Sequence, residues 1–416
     1  MEIKRVVVTG LGCLTPIGNN VPDFWESLNS GVSGSGPITR FDTTNFKTKF
    51  ACEIKNFNPE EFIDRKELRK MDSNCVYAMV AADEAVKDAN LDSSNIDKER
   101  CGVIFASGIG GLNNLEQELK DFNTGSGIPR FNPFYITKMI TNMSAGMIAI
   151  KYGFMGTNFA TVSACASSNH AIISAFNFIR TGQADIMVAG GTEAAITPSS
   201  IGGFNSMKAL STNNENYKTA SRPYDSTRDG FVIGEGAGAI ILEEYEHAKK
   251  RGAKIYAELC GGGMSCDAYH ISATHPEGVG AALCIKNAIK DAGISPKDIT
   301  YVNTHGTSTP VGDMPELFAL KNALGEEYCK TYISSTKSMT GHLLGAASAI
   351  EAIASVLAVH NDLIPATINV SQLDPNIPEG SNIVIGEPLK TTVNYALSNS
   401  FGFGGHNASV IFGKAR

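Results

Sequence analysis

Three residues carry the side chains and settings from which nucleophilic thiol chemistry can be built: Cys165, His305 and His342. Cys165 sits in SACASSN at 163–169, between a β-prone stretch at 158–163 and the helical HAIISAFNFIRTG at 170–182. A thiol on a strand-to-helix turn lies at the positive end of the helix dipole, which is expected to lower its pKa and favour thiolate. Ala164, Ala166 and Ser167 are small enough for a tight turn and leave room beside the sulfur. The plain alternative is a buried inert thiol, though none of the other eight cysteines has a comparable setting. His305 lies in NTHGTSTPVGD at 303–313, a Gly/Thr-rich loop just past a predicted strand, where catalytic residues tend to sit. Its alternative is a histidine bonding its own turn. His342 lies in STKSMTGHLLGAASAIEA at 335–352, again a strand, a small-residue turn and a helix start. Lys337 and Glu351 bracket it, and as a solvated pair they would contribute little.

The elements that must hold these residues read as an α/β fold. Short Val/Ile/Ala runs alternate with longer helical stretches, the pattern of buried strands. Strands are predicted at 6–9, 102–106, 186–189, 239–242, 256–259, 301–303, 333–335, 395–399 and 408–412, with no low-complexity linker between them. EAVKDANLDSSNID at 84–97 aligns without gaps on NAIKDAGISPKDIT at 287–300, and each copy leads into a strand and a Gly-containing turn. That internal repeat predicts a duplication, with halves at 1–254 and 255–416 and a site between them. The His342 turn then becomes the counterpart of the Cys165 turn, the two facing each other across the junction. TGLG at 9–12 follows a strand, but Cys13 to Pro16 break the dinucleotide pattern, and GEGAG at 234–238 runs into a strand instead of a helix. Neither is expected to cradle phosphate.

Composition narrows the function classes. The chain is 43% hydrophobic and 19% charged, enough to bury a large core, and its formal net charge of -7 argues against a nucleic-acid protein. Nine cysteines scattered singly, with no C-x-x-C, are the usage of a reducing compartment. MEIKRVVVTG enters a β-branched run directly, and the most apolar helix, around 346–359, carries Glu351 and is short for a bilayer. A cytoplasmic protein with no membrane insertion is expected. No histidine pair has H-E-x-x-H spacing, so no metal or other cofactor is expected either. His170, His247, His275 and His360 read as structural or surface residues.

Taken together, these segments resemble the elongating type I/II β-ketoacyl-acyl carrier protein synthases of the thiolase superfamily. VVVTGLGCLTPIG, FNPF, SACASSNHA, AGGTEA, SRPYDSTRDGFVIGEGAG, HGTSTPVGD, TKSMTGHLLGA and SNSFGFGGHN are similar to family blocks in family order, over nearly the full chain. Initiating synthases carry Asn in place of the second His, and degradative thiolases carry a second catalytic Cys near the C-terminus. This chain has no Cys after Cys329. The resemblance implies a thiolase-like fold, two duplicated α/β halves packed as a five-layered αβαβα core. It implies an acyltransferase that condenses acyl-carrier with malonyl-carrier, acting as a homodimer with a two-fold interface near 160–167.

The resemblance also implies roles, residue by residue. Cys165, His305 and His342 would form the Cys-His-His set, with the backbone N–H groups of Cys165 and Phe401 holding the oxyanion. Lys337 and Glu351 would order the His342 loop, and Phe401 would gate the site. Thr307, Thr309, His270 and Phe403 would contact substrate. Lys66, Arg69, Lys70 and Lys208 would dock the acidic acyl carrier protein. RKELRK at 65–70 puts the first three on one helical face at i, i+3 and i+4, with the helix continuing through Met71; a merely solvated charge run is the alternative. His406 stands where many bacterial members have Thr. A polyketide or aryl-polyene ketosynthase shares this chemistry. A non-condensing chain-length-factor-like subunit would typically lack the nucleophilic cysteine.

Overall fold

Strand β1 (Val6–Leu14) is buried at every position, as a β-branched run covered on both faces must be. The computed structural model describes residues 3–91 and 95–415. The other strands of the main sheet are β2 (Cys101–Ala106), β3 (Asn158–Phe159), β4 (Ile186–Glu193), β5 (Gly236–Glu244) and β6 (Ala257–Cys266). They continue with β7 (Ile299–Asn303), β8 (Tyr332–Ser334), β9 (Asn382–Ile383), β10 (Tyr395–Gly402) and β11 (His406–Gly413). Each strand expected from the sequence is present; the short β9 was not anticipated.

The eleven strands form one sheet in the order β9-β8-β7-β10-β11-β6-β1-β5-β4-β2-β3. Outward from the centre, one side reads β1-β5-β4-β2-β3 and the other β6-β11-β10-β7-β8, with β9 added at the edge. Both sides run antiparallel, antiparallel, parallel, parallel. The strands of the two sides pair where Val6–Val8 of β1 meet Ala257–Leu259 of β6. The repeated segments occupy equivalent places in this pattern. Helix α1 (Ser73–Asp88) ends with Asn90 at φ 56°, and helix α4 (Val279–Asp291) ends with the aligned Gly293 at φ 65°. Each turn back-bonds to its helix, Leu91 N–H to Val86 and Ile294 N–H to Ile289, and leads through a 3₁₀ turn into β2 or β7. Residues 92–94 of the first copy lie outside the described residues. We propose 1–254 and 255–416 as the two halves on the strength of this repeated order.

Five layers follow from how each strand splits its side chains. On β5, Ile240 and Leu242 face a central core while Ala239 and Ile241 face an outer one; on β2, Ile104 and Ala106 face in and Val103 and Phe105 face out. The outer layer on that side is α1 with α2 (Met143–Tyr152). On the other side α4 and α5 (Asp313–Leu324) cover Ile299, Val302, Leu397 and Ile411. The middle layer is α3 (Ser167–Arg180) against α6 (Ala347–Asn361). Helix α6 is buried from Ala347 to Val359, apolar on every face because protein surrounds it. With Leu344–Ala346 the segment is longer than expected and apolar enough to span a bilayer, but 89% of it is buried, so it is a core helix.

The glycines of TGLG serve packing. A Cβ on Gly10 would lie 2.3 Å from the Ala85 carbonyl oxygen, and one on Gly12 2.0 Å from that of Ala81. Their absence lets β1 press against α1, where Asp88 and Glu84 accept the Leu11 and Cys13 N–H groups at 2.9 and 2.8 Å.

Candidate active site

The N-termini of the two central helices bring the chemistry together. Cys165 lies two residues before the start of α3, and the residue before it, Ala164, is held at φ 50°, a strained conformation for an alanine. The turn is locked from within: Ser167 Oγ accepts from Ser163 N–H at 2.8 Å and donates to the Ala164 carbonyl at 2.6 Å. It is locked from the other half as well, since Ser400 Oγ donates to the Cys165 carbonyl at 2.6 Å. A Cβ on Gly402 would lie 2.6 Å from the Ser163 oxygen and 3.1 Å from Cys165 N, so only glycine lets β10 come this close. The backbone beside Phe401 therefore abuts the Cys165 N–H.

His342 reaches the same point from the turn before α6. Its Nε2 is 3.0 Å from Cys165 Sγ, and its ring stands edge-on to that of His305, with centroids 5.2 Å apart. The His305 ring in turn meets Phe401 at 5.8 Å. Cys165, His342 and Phe401 are buried and His305 is half-buried. The thiol and one nitrogen of each imidazole all lie within 4.8 Å of one another, close enough to share one small atom or ion.

Electrostatics decide the protonation states. Burial lowers both imidazoles well below the ordinary value of 6.5, and the Lys337 charge pushes them the same way. Both rings are therefore neutral at physiological pH, each with one N–H to donate and one lone pair. Burial pushes the Cys165 thiol up to about 12, with Lys337 pulling it back. This corrects the expectation of a resting thiolate: the helix N-terminus is present, but desolvation outweighs it. His342 Nε2 stands 3.0 Å from the sulfur.

Three buried carboxylates frame the site. Lys337 and Glu351 form an ion pair in which each side chain is 1% exposed, so it is no solvated pair. It anchors the His342 turn to α6. Replacing Glu351 with Ala would strand the Lys337 ammonium, and we expect a loss of roughly 3–5 kcal/mol of stability. Urea denaturation checks this; a loss under about 1 kcal/mol would show that water or another group solvates Lys337.

The other two carboxylates were not expected from residue order. Glu316, on α5, accepts the backbone N–H groups of His305 and Gly306, both at 2.8 Å, and Asn399 Nδ2 at 3.2 Å. It fixes the His305 loop. Glu193, at the end of β4, accepts from Ser107 Oγ at 3.0 Å and from the N–H groups of Gly108, Ile109 and Gly345 at 2.9, 3.1 and 2.9 Å. It ties the 107–109 loop to the turn that follows His342. The signal for both was a lone carboxylate in an apolar run, AGGTEAA and MPELFAL, since such groups are buried only when fully bonded.

A cavity of about 480 Å³ contains Cys165, His305, His342 and Phe401 in its wall. Ile109, Phe204, Phe231 and Leu344 make much of it apolar, and Thr307, Thr309, Phe403 and Lys208 also line it. Thr307 and Thr309 hydroxyls are 3.0 Å apart, two neighbouring polar groups in one wall. His270 does not line the cavity. Its Nδ1 accepts from Ser272 and Ala273 N–H at 3.1 Å, capping a loop whose residues 272–274 do line it. Lys66, Arg69 and Lys70 are exposed and lie away from the cavity, but their helix is shorter than expected. It spans Arg65–Leu68, with Arg69 as its cap, and Met71 only closes a turn onto Leu68 before α1 begins. Lys70 Nζ also bonds Glu67 at 2.6 Å.

Comparison with known proteins gives a consistent picture. The β-ketoacyl synthase N-terminal domain model matches residues 3–248, and the C-terminal domain model matches 256–371. A 3-oxoacyl-[acyl-carrier-protein] synthase 2 from Synechocystis sp. is 49% identical over 100% of this chain and 99% of its own length. The solved ishigamide ketosynthase/chain length factor superposes with a TM-score of 0.93 at 33% identity, covering 100% of both chains. A type II polyketide acyl-carrier protein in complex with its ketosynthase bound to the hexaketide superposes with a TM-score of 0.91 at 36% identity, again over 100% of both.

Proposed function

The chain belongs to the β-ketoacyl synthase family, and from that premise we propose how its residues divide the work of condensation. It is a condensing acyltransferase of fatty-acid elongation, joining acyl-carrier and malonyl-carrier to give 3-oxoacyl-carrier, CO₂ and free carrier protein. The 49% identity to a 3-oxoacyl-[acyl-carrier-protein] synthase 2, against 33% for the ishigamide ketosynthase/chain length factor and 36% for the type II polyketide complex, favours elongation over a polyketide or aryl-polyene pathway. Cys165 together with both histidines argues against a non-condensing subunit.

One observation supports the assignment of roles most directly: a buried thiol 3.0 Å from a neutral imidazole, with a second imidazole beside it in one cavity. Cys165 sulfur attacks the acyl thioester as its proton passes by way of His342 to the carrier sulfur, which leaves as the thiol, and the acyl group stays on Cys165. The Cys165 and Phe401 N–H groups hold the oxyanion, a role supported by the close packing of Gly402 on the Cys165 backbone. Malonyl-carrier then loses CO₂, and its electron pair moves onto the thioester oxygen as an enolate. His305 and His342, the latter in the tautomer that carries its proton on Nε2, donate hydrogen bonds to that oxygen; the enolate carbon attacks the acyl-Cys165 carbonyl, and the released sulfur takes a proton from solvent to restore the thiol. Phe401, against His305, gates the site; Thr307, Thr309 and Phe403 contact the carrier's arm. Intact-mass measurement after incubation with acyl-carrier should show one acyl group per chain, on Cys165. Absence of any adduct would remove the reading.

The acyl carrier protein docks on Lys66, Arg69, Lys70 and Lys208, a reading supported by their exposure and by Lys208 lining the cavity. Reversing Lys66 and Arg69 to Glu should raise KM for the carrier about tenfold, ~1.4 kcal/mol, at low salt. The difference should shrink as salt screens it, and a short pantetheine thioester that never meets the patch should be unaffected. Equal loss with both substrates would return the patch to a solvated surface.

A homodimer is supported by the free edge of the sheet. Strand β3 ends the sheet at Asn158–Phe159, and Ile150, Met155, Phe159 and Val162 expose apolar surface along it. Ser163 and Cys165–Ser167 are already buried within the protomer. Nine free thiols among the described residues support a reducing, cytoplasmic compartment.

A further inference from the structure

The geometry points to a reversible inhibitory site for a thiophilic divalent cation, Zn²⁺ above all, formed by Cys165, His305 and His342 with its fourth position open to the cavity. The three donor atoms already lie within 4.8 Å of one another, and Sγ and His342 Nε2 are 3.0 Å apart. A tetrahedral zinc ion with one sulfur and two imidazole nitrogens sets edges of roughly 3.3–3.6 Å, from bond lengths of about 2.3 and 2.0–2.1 Å. Reaching it requires the sulfur and nitrogen to part by about half an ångström and the other pairs to close by at most about 1.5 Å.

The chemistry of the donors suits this ion. Each imidazole can offer one ring nitrogen to the ion, and the thiol offers its sulfur. One proton leaves, from the Cys165 thiol, as the sulfur–zinc bond forms: Zn²⁺ and the thiol give the zinc thiolate and H⁺. The Glu193 carboxylate, in the wall of the same cavity, lies near the single positive charge that remains. A mixed sulfur and nitrogen set selects zinc or cobalt over magnesium or calcium, which take oxygen ligands.

The same structure says why the ion is an inhibitor and not a resident. Ligating histidines in built metal sites donate their second ring nitrogen to a carboxylate or carbonyl, which orients the ring. Here Nδ1 of His305 and Nδ1 of His342 are both buried with no hydrogen-bond partner among the described residues. The missing outer bonds weaken affinity about 10- to 100-fold relative to a supported site. An acyl group on the sulfur removes the thiolate ligand altogether, so substrate and cation exclude each other. This site does not depend on which acyl chain the enzyme takes.

The test uses Co²⁺ as a spectroscopic probe and Zn²⁺ as its competitor, on the full-length protein. One Co²⁺ per chain should bind with a thiolate-to-cobalt charge-transfer band, and Zn²⁺ should displace it. The band should vanish in Cys165→Ser, and His305→Ala should weaken binding at least about tenfold, with melting curves confirming that both variants are folded. Protein acylated on Cys165 should bind no Co²⁺ with that band. A band that persists in Cys165→Ser would overturn the proposal, since a surface thiol such as Cys266 or Cys329 would then be the ligand. Unchanged affinity in His305→Ala, or no thiolate band in the unmodified protein, would overturn it equally. Acyl transfer itself, measured separately by intact mass, is unaffected by either result.

Discussion

Cys165→Ala should lose condensation by about four orders of magnitude or more, as removal of a catalytic nucleophile does in other enzymes. The protein should remain folded. Cys165 is buried, but the exchange removes only one sulfur, at a cost of about 1 kcal/mol, and every bond that locks the turn comes from other side chains. Incubated with acyl-carrier, the variant should show no acyl adduct by mass. It should still decarboxylate malonyl-carrier, because His305 and His342 are unchanged and the enolate does not need the sulfur. That contrast separates loss of the nucleophile from loss of the site. Stoichiometric acylation at another cysteine would sink the assignment, and Cys52, Cys101 and Cys284 make poor substitutes, each buried with its thiol pushed up to about 12. Cys165 shares that elevation but alone among them has a neutral imidazole beside it.

The histidine substitutions should produce the mirror image. His305→Ala and His342→Ala should each slow malonyl decarboxylation about 10²- to 10³-fold, the cost of removing one donor from an oxyanion site. His305→Ala should still accept an acyl group on Cys165 at an appreciable rate. His342→Ala should accept one more slowly, since the proton acceptor 3.0 Å from the sulfur is gone. The pH profile adds a check with a definite sign. Both imidazoles titrate well below 6.5, so the neutral, working form persists as pH falls through that value and is lost only in more acid solution. Decarboxylation by the unmodified protein should therefore stay flat through pH 6.5. Near-normal decarboxylation in both variants, or a decline centred on 6.5, would mean that the enolate is stabilised elsewhere or that the rings are charged.

Much of this molecule was legible in residue order because its strands are buried on both faces. Burial on both sides makes a strand a continuous apolar run, so β1, β2, β4, β5, β10 and β11 stood out without an alignment. The repeat at 84–97 and 287–300 was legible for a related reason. A helix end needs one residue in the left-handed region, and Asn90 and Gly293 are residues that tolerate it, so both copies kept the same signature. The three chemical residues were legible because each lies on a small-residue turn at the end of an apolar run, where a reactive side chain has no packing reason to be.

Tertiary structure alone decided protonation and partnership. A helix start beside Cys165 suggested a thiolate, but the depth at which the halves enclose the sulfur is set by contacts across more than two hundred residues, such as Ser400 on the Cys165 carbonyl. Desolvation scales with that enclosure, and no local pattern encodes it. Glu316 and Glu193 escaped notice for the same reason: whether the partner is as near as His305 to Glu316 or as far as Gly345 from Glu193, it becomes visible only when the fold delivers its N–H group. Residue order left Lys337 and Glu351 open between a solvated pair and one that orders the His342 loop, because the spacing of two charges says nothing about whether water reaches them. Residue order determined which groups could react; the packing of one half against the other determined their charge, their distances and the direction in which protons move.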